Sequence, residues 1–292
     1  MLKPPSLVTT NYHIASRTPS LRIALVTDLH NRPCRSLLCQ LASDRPDLIA
    51  IAGDLIVGRI PGAETTAGNP SANRNYSVFR SSPYALYFLK NAVKIAPTYY
   101  SLGNHEWVLS DIDYHILRQI GIRLLDNTYE KLPLSDSVFI GGMTSVSVLK
   151  IRNYYHRHPD HIGCYPVLNK RQTVALPPTT WLHAFEQEDG FKLLLCHQPE
   201  YWTLRAPYLA TYDIDLILAG HAHGGQIRLF NRGLYTPGEG IFPRYTSGLH
   251  KCNRSKLLIS RGLSNTTWIP RIGNPPELVY ITLGQTAYTA EQ

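Results

Sequence analysis

The stretch 213-DIDLILAGHAHGG-225 decides how this chain reads. A short apolar run reaches Ala219, and then His221 and His223 stand one residue apart among three glycines. A single imidazole at a strand end is usually ordinary polarity. Two of them at the tip of a buried strand are either that or half of a metal site, and the remaining sequence has to discriminate.

The same shape recurs four more times. "LRIALVTDLH" (21–30) ends at Asp28 and His30, and "DLIAIAGDL" (47–55) turns at Gly53-Asp54. "APTYYSLGNHE" (96–106) ends at Asn104-His105, and "FKLLLCHQP" (191–199) at His197. Apolar runs of this length fit central strands covered on both faces. Helical patterns lie between them: "SLLCQLASD", "YALYFLKNAVKIA", "VLSDIDYHILRQI" and "TWLHAFEQED". Strand–helix alternation marks an α/β fold. The last third reads as strands alone, with "GGQIRLF", "KLLISRGL" and "ELVYITL". No repeat or linker divides the chain, so the reading is one domain over 21–285 after an N-terminal extension of residues 1–20. The segment "GRIPGAETTAGNPSANRN" (58–75) reads as a surface loop and residues 145–178 as an insertion-like loop or lid.

Bulk properties narrow the class. No apolar run approaches the length of a spanning helix, and the mean hydropathy of -0.17 argues against a multi-span membrane protein. The N-terminus lacks the apolar core of a secretory signal. The five cysteines form no CxxC pair, so neither a thiolate zinc site nor a disulfide framework is expected, and a reducing cytoplasm is. A net charge of +8 suits anionic partners. Without a dense Lys/Arg run it predicts no nucleic-acid-binding arm. It is compatible with a phosphate-ester substrate and with peripheral contact at an anionic membrane surface.

Gathered at neighbouring strand ends, Asp28, His30, Asp54, Asn104, His197, His221 and His223 supply carboxylate, amide and imidazole donors and no thiolate. In open α/β sheets, ligand-binding side chains collect at the carboxyl ends of strands. Such a set suits Mn, Fe or Zn, and seven ligands hold two ions if one carboxylate is shared. A paired centre lowers the pKa of a water and neutralises phosphoryl oxygens. His105 is then placed to protonate a leaving group. Asp28 and His30, two residues apart, point to one side if the backbone stays extended. Gly224 and Gly225 are expected to let backbone approach the site.

In this order, "DLH", "GDL", "GNHE", "CHQP" and "GHAHGGQ" resemble the calcineurin-like metallophosphoesterases, in particular the bacterial branch carrying GHxHGGQ and a C-terminal stretch like "ISRGL…PRIGNPPELVYITL". The resemblance runs from Leu21 to Leu283. It implies a four-layer α/β/β/α sandwich with two mixed β-sheets, the metallophosphatase fold. It further implies one ion on Asp28, His30 and His223, a second on Asn104, His197 and His221, and Asp54 bridging them. His105 would be the general acid or orient the phosphate. The implied activity is hydrolysis of a phosphodiester or pyrophosphate, lipid-linked or small-molecule, by metal-activated hydroxide. A nuclease with the same metal pair would want a long basic groove, and a non-catalytic scaffold on this fold would lack ligands. Glu106 departs from the Asp common at its position, a change expected to matter little for metal binding. The histidines His156, His158 and His161, near Arg152 and Arg157, read as a solvated loop or as a lid that grips substrate.

Overall fold

Strands buried on both faces need side chains that are apolar at nearly every position, and five of these segments come close to that. In the computed structural model they form two six-stranded sheets stacked face to face. The structure describes residues 6–58, 77–145, 179–203, 209–230, 232–236, 240–264 and 270–285. The loop expected at 58–75 lies almost wholly outside these. So do residues 146–178, with Arg152, Arg157, His156, His158 and His161.

The first sheet takes β1 (Val8–Ala15), β2 (Leu21–Val26), β3 (Leu48–Ala52), β4 (Thr98–Ser101), β5 (Arg123–Leu125) and β16 (Glu277–Gly284), in the order β1-β16-β2-β3-β4-β5. β2 to β5 run parallel and β16 antiparallel to β2. The second sheet takes β6 (Thr128–Lys131), β7 (Val138–Met143), β8 (Phe191–Cys196), β9 (Leu216–Ala219), β14 (Gly248–Cys252) and β15 (Ser255–Ile259), in the order β14-β15-β9-β8-β7-β6. Its inner pairs are parallel and its two outer pairs antiparallel. Four two-residue strands, β10 (Arg228–Leu229), β11 (Arg232–Gly233), β12 (Tyr235–Thr236) and β13 (Gly240–Ile241), form two small hairpins.

The period of two assigns each residue to a layer. Ile23, Leu25, Leu48, Ala50, Leu193, Leu195, Leu216 and Leu218 face the seam between the sheets. Their neighbours Ala24, Val26, Ile49 and Ile51 face the opposite way, onto α1 (Arg35–Asp44) and α2 (Pro83–Ile95). α3 (Asp111–Gln119) joins them through Leu117, its N-terminus closed by a Ser110–Asp113 capping box. On the outer face of the second sheet, Leu194, Cys196, Ile217 and Ile259 pack with α4 (Thr180–Glu186) and α5 (Glu200–Thr203). The layering is therefore α/β/β/α, as the sequence implied. Tyr99, Tyr100 and Tyr280 are core residues.

Two expectations change. Val8–Ala15 is not set apart from the sheet: it pairs residue for residue with β16, from Val8↔Glu277 to Ala15↔Gly284. Its mixed polar composition suits an edge strand, whose outer face is solvated, and gives no apolar run to notice. "GGQIRLF" is not one strand either. Glycine turns at Gly224 and Gly225 break it, and only Arg228–Leu229 is extended. No described helix is long and apolar enough to cross a membrane. Cys34, Cys39, Cys196 and Cys252 are free thiols.

Candidate metal centre

The five apolar strands β2, β3, β4, β8 and β9 all end at the same edge of the sandwich, three from one sheet and two from the other. Main-chain bonds stitch their tips together. Asp28 N–H donates to Gly53 O (3.2 Å), His30 N–H to Asp54 O (3.1 Å) and Gly220 N–H to His197 O (3.0 Å). Across the two sheets, His221 N–H reaches Asp28 Oδ2 at 3.2 Å, and within the first sheet His105 N–H reaches Asp54 Oδ1 at 2.9 Å.

Six of the seven expected ligands fall into groups whose donor atoms lie within 4.8 Å of one another: Asp28, His30 and His223, then Asp54, His197 and His221. His30, Asp54 and His105 form a third group that overlaps both. His30 Nε2 lies 3.7 Å from Asp28 Oδ1 and 3.9 Å from Asp54 Oδ2. His223 Nε2 lies 3.7 Å from Asp28 Oδ1, and His197 Nε2 3.0 Å from Asp54 Oδ2. The longer spacings exceed a hydrogen bond. They are slightly wider than the roughly 3–3.5 Å that two ligands keep when each sits about 2.1 Å from a shared ion. His30 Nε2, His197 Nε2 and Asp54 Oδ2 are buried without a well-aligned hydrogen bond among the described residues. Buried polar atoms left so are costly, and a cation would satisfy all three. The seventh residue, Asn104, stands on the β4 loop beside them with its Oδ1 buried.

The imidazoles are oriented from behind. Nδ1 of His30 faces Ile56 O (3.1 Å), that of His197 faces Ala52 O (2.7 Å), that of His223 faces Ser264 O (2.8 Å), and that of His105 faces Val57 O (2.7 Å). A carbonyl only accepts, so each Nδ1 carries a proton and Nε2 is the atom that faces the pocket, a ligand when unprotonated and a donor when protonated.

Electrostatics separate the histidines. Burial pushes His30 down to about 3, leaving it neutral. Burial also acts to lower His197, but the Asp54 and Asp28 carboxylates outweigh it and raise the group to about 10. Burial opposes ionisation of Asp54, yet His197, His105 and His30 hold it well below the ordinary carboxylate range. Asp28 is lowered in the same way by His223 and His197.

The backbone at the centre is strained. Asp28 (φ 54°), His30 (φ 45°), Asp54 (φ 56°), His221 (φ 64°) and His223 (φ 46°) are all left-handed, a conformation that costs a non-glycine residue roughly 1–3 kcal/mol. The extended geometry expected for Asp28 and His30 is therefore absent, and the turn itself brings them together. Gly53 (φ 83°) is required: a Cβ there would lie 2.7 Å from both Gly103 Cα and the His197 ring. Gly225 serves differently from expectation, since its close neighbour is Gly233 of the first hairpin rather than the ligand set.

Several supporting residues escaped the sequence reading. Glu106, fully buried, accepts from Gly103 N (2.8 Å), Asp54 N (2.9 Å), Leu55 N (2.9 Å) and Tyr100 Oη (2.7 Å), clamping two ligand loops together. Burial and the Asp54 charge push it up to about 7, against the pull of those donors. These bonds to backbone N–H groups are contacts that a sequence cannot display. Asn274 Nδ2 donates to His223 O (2.7 Å) and Gln226 O (3.0 Å), and Arg271 Nη1 to Ser264 O (2.9 Å), behind His223. Glu200 Oε1 stands 3.8 Å from His221 Nε2. Their adjacency to "CHQP" and their place in "PRIGNPPE" were the available signals. Cys34 and Cys196 contact Tyr84 O and Met143 Sδ respectively, not the centre.

Comparison with known proteins agrees with this arrangement. Residues 21–225, well over half of the chain, match the family described as calcineurin-like phosphoesterase. An uncharacterized metallophosphoesterase of Campylobacter jejuni is 25% identical over 300 residues, covering 97% of this chain and 64% of its own length. The protein YpbG of Bacillus subtilis is 27% identical over 270 residues, covering 91% and 82%. Thus the chain spans under two thirds of the first relative and most of the second. Among solved structures, TT1561 of Thermus thermophilus aligns with a TM-score of 0.46 at 14% identity, over 84% of this chain and 90% of that one. Two mixed sheets, histidine and aspartate clusters able to hold metal, and the family match lead to one conclusion: the chain belongs to the calcineurin-like phosphoesterases.

Proposed function

We propose that this protein hydrolyses a phosphodiester or pyrophosphate bond, in a lipid-linked or small-molecule substrate, using a pair of Mn, Fe or Zn ions. The observation that carries the reading is the overlap of the ligand groups. Two triads stand side by side, and Asp54 has donors of both within reach. In this reading Asp28, His30 and His223 hold one ion, Asn104, His197 and His221 the other, and Asp54 spans both. When bound, the ions supply Lewis acidity, which activates a water and offsets charge on the phosphoryl oxygens.

The chain's own residues do the rest. The carbonyls facing Nδ1 of His30, His197 and His223 fix ring orientation, so their Nε2 atoms face the centre without rearrangement. His105 is the most open of the five histidines, its side chain 23% exposed against 0% for His30 and His197. That position faces entering substrate, and its Nε2 is the group we assign to protonate the leaving oxygen or hold the phosphate. Its Nδ1–H, held by Val57 O, keeps the ring aimed at Asp54.

The test is turnover of bis(p-nitrophenyl) phosphate by the full chain supplied with Mn²⁺. Hydrolysis that a chelator abolishes supports the assignment. A folded sample with two bound ions and no turnover of diesters or monoesters refutes it.

A further inference from the structure

The chain that leaves His223 runs directly into the two small hairpins, which are rooted on the metal-centre turn. Leu234 N–H donates to Gly225 O (3.1 Å) and Ile227 O (2.9 Å), and Phe242 N–H donates to Leu234 O (2.9 Å). Arg228 Nη1 donates to Gly224 O at 2.9 Å.

These hairpins hold side chains in water that ordinarily avoid it. Phe230 is 92% exposed, Phe242 79% and Ile241 75%, with Leu229 at 57% and Ile272, bridged to Ile227 at the root, at 55%. One exposed apolar residue needs no explanation, but four on adjacent hairpins, with Ile272 at their root, make a patch. Phe230 (φ 47°) and Phe242 (φ 54°) also occupy the left-handed region, unfavourable for bulky side chains. Beside Phe242 opens a cavity of about 510 Å³ lined by Arg228, Arg232, Arg244, Thr246 and His250, and none of the described residues lining it is a carboxylate.

Apolar tips rimmed by guanidinium groups match the two parts of an anionic bilayer, acyl boundary and headgroup phosphate. A second copy of the chain fits poorly, since a two-fold contact would bring two arginine-lined rims of the same charge together. We propose that the hairpin pair docks the protein on an anionic lipid surface. Phe230, Ile241 and Phe242 enter the acyl boundary, and Arg232 and Arg244 meet the headgroup phosphates. The net charge of +8 draws the protein to that surface. Docking stands on the surface alone, whereas its use in presenting a lipid-borne ester to the centre rests on the function proposed above.

The experiment is co-sedimentation of the metal-free full chain with phosphatidylcholine vesicles, with or without one third phosphatidylglycerol. Binding is expected on the anionic vesicles only, and weaker at high salt. Phe230→Ser and Phe242→Ser should each lower partitioning about tenfold, and Arg232→Ser and Arg244→Ser about fivefold each. Absent binding, equal binding to neutral vesicles, or undiminished binding by these variants overturns the proposal. So does a vesicle-free dimer that Phe230→Ser dissolves. Diester turnover is assayed separately on the same wild-type sample, so its failure with docking intact counts against the hydrolase reading alone.

Discussion

Removing the Glu106 carboxylate strips a common acceptor from four donors at once. Three of them are buried backbone N–H groups, of Gly103, Asp54 and Leu55, and the fourth is the Tyr100 hydroxyl. A buried donor left unpaired costs about 1–3 kcal/mol. Water entering the vacated space recovers part of that, so Glu106→Ala should lose about 3–5 kcal/mol. Glu106→Gln keeps one acceptor oxygen, lets Tyr100 turn to accept from the new amide, and relieves repulsion with Asp54. Its loss should be smaller, about 1–2 kcal/mol. Because the clamp sets the Asp54 main chain, both variants should also bind metal about 10–100-fold more weakly. Urea unfolding of the metal-free protein reads the first effect as a midpoint shift at constant slope, and titration with Mn²⁺ reads the second. An alanine variant within about 1 kcal/mol of wild type, or a glutamine variant less stable than alanine, would show that the four contacts do not carry the loops.

Three further outcomes follow from the centre. Asp54→Asn removes the charge shared by both ligand groups, so metal analysis should find at most one ion and diester turnover should fall at least about a thousandfold; retention of two ions at full rate excludes the bridging role. His197, raised to about 10 in the metal-free protein, stabilises that form fully below about pH 6.5 and loses this contribution as pH rises through about 10. Because a ligand must shed that proton, metal affinity should rise about tenfold per pH unit from pH 6 to 8, and a flat chelator-competition profile would contradict the shift. His105→Ala should retain metal while turnover falls about 10²–10⁴-fold; unchanged rates on diesters with both good and poor leaving groups would remove His105 from the reaction.

The one-dimensional order already contained most of the fold and of the ligand set. Runs such as "DLIAIA" and "KLLLC" are apolar at almost every position, which only a doubly covered strand tolerates, and each ends in a donor-bearing turn. The α/β class and the grouping of Asp28, His30, Asp54, His197, His221 and His223 follow from that pattern, and the layered sandwich from the family resemblance of the ordered motifs. β1 was not legible, because an edge strand is held by main-chain pairing and its side chains carry no strong signal. The Glu106 clamp and the carbonyls behind His30, His105, His197 and His223 were invisible, and Asn274 behind His223 left only its place in "PRIGNPPE" as a signal. Each joins residues far apart in the chain through backbone atoms, and backbone atoms are the same at every position. The exposed Phe230, Ile241 and Phe242 were hidden for a related reason: an apolar letter states what a side chain prefers, and only the folded hairpin decides that it faces water.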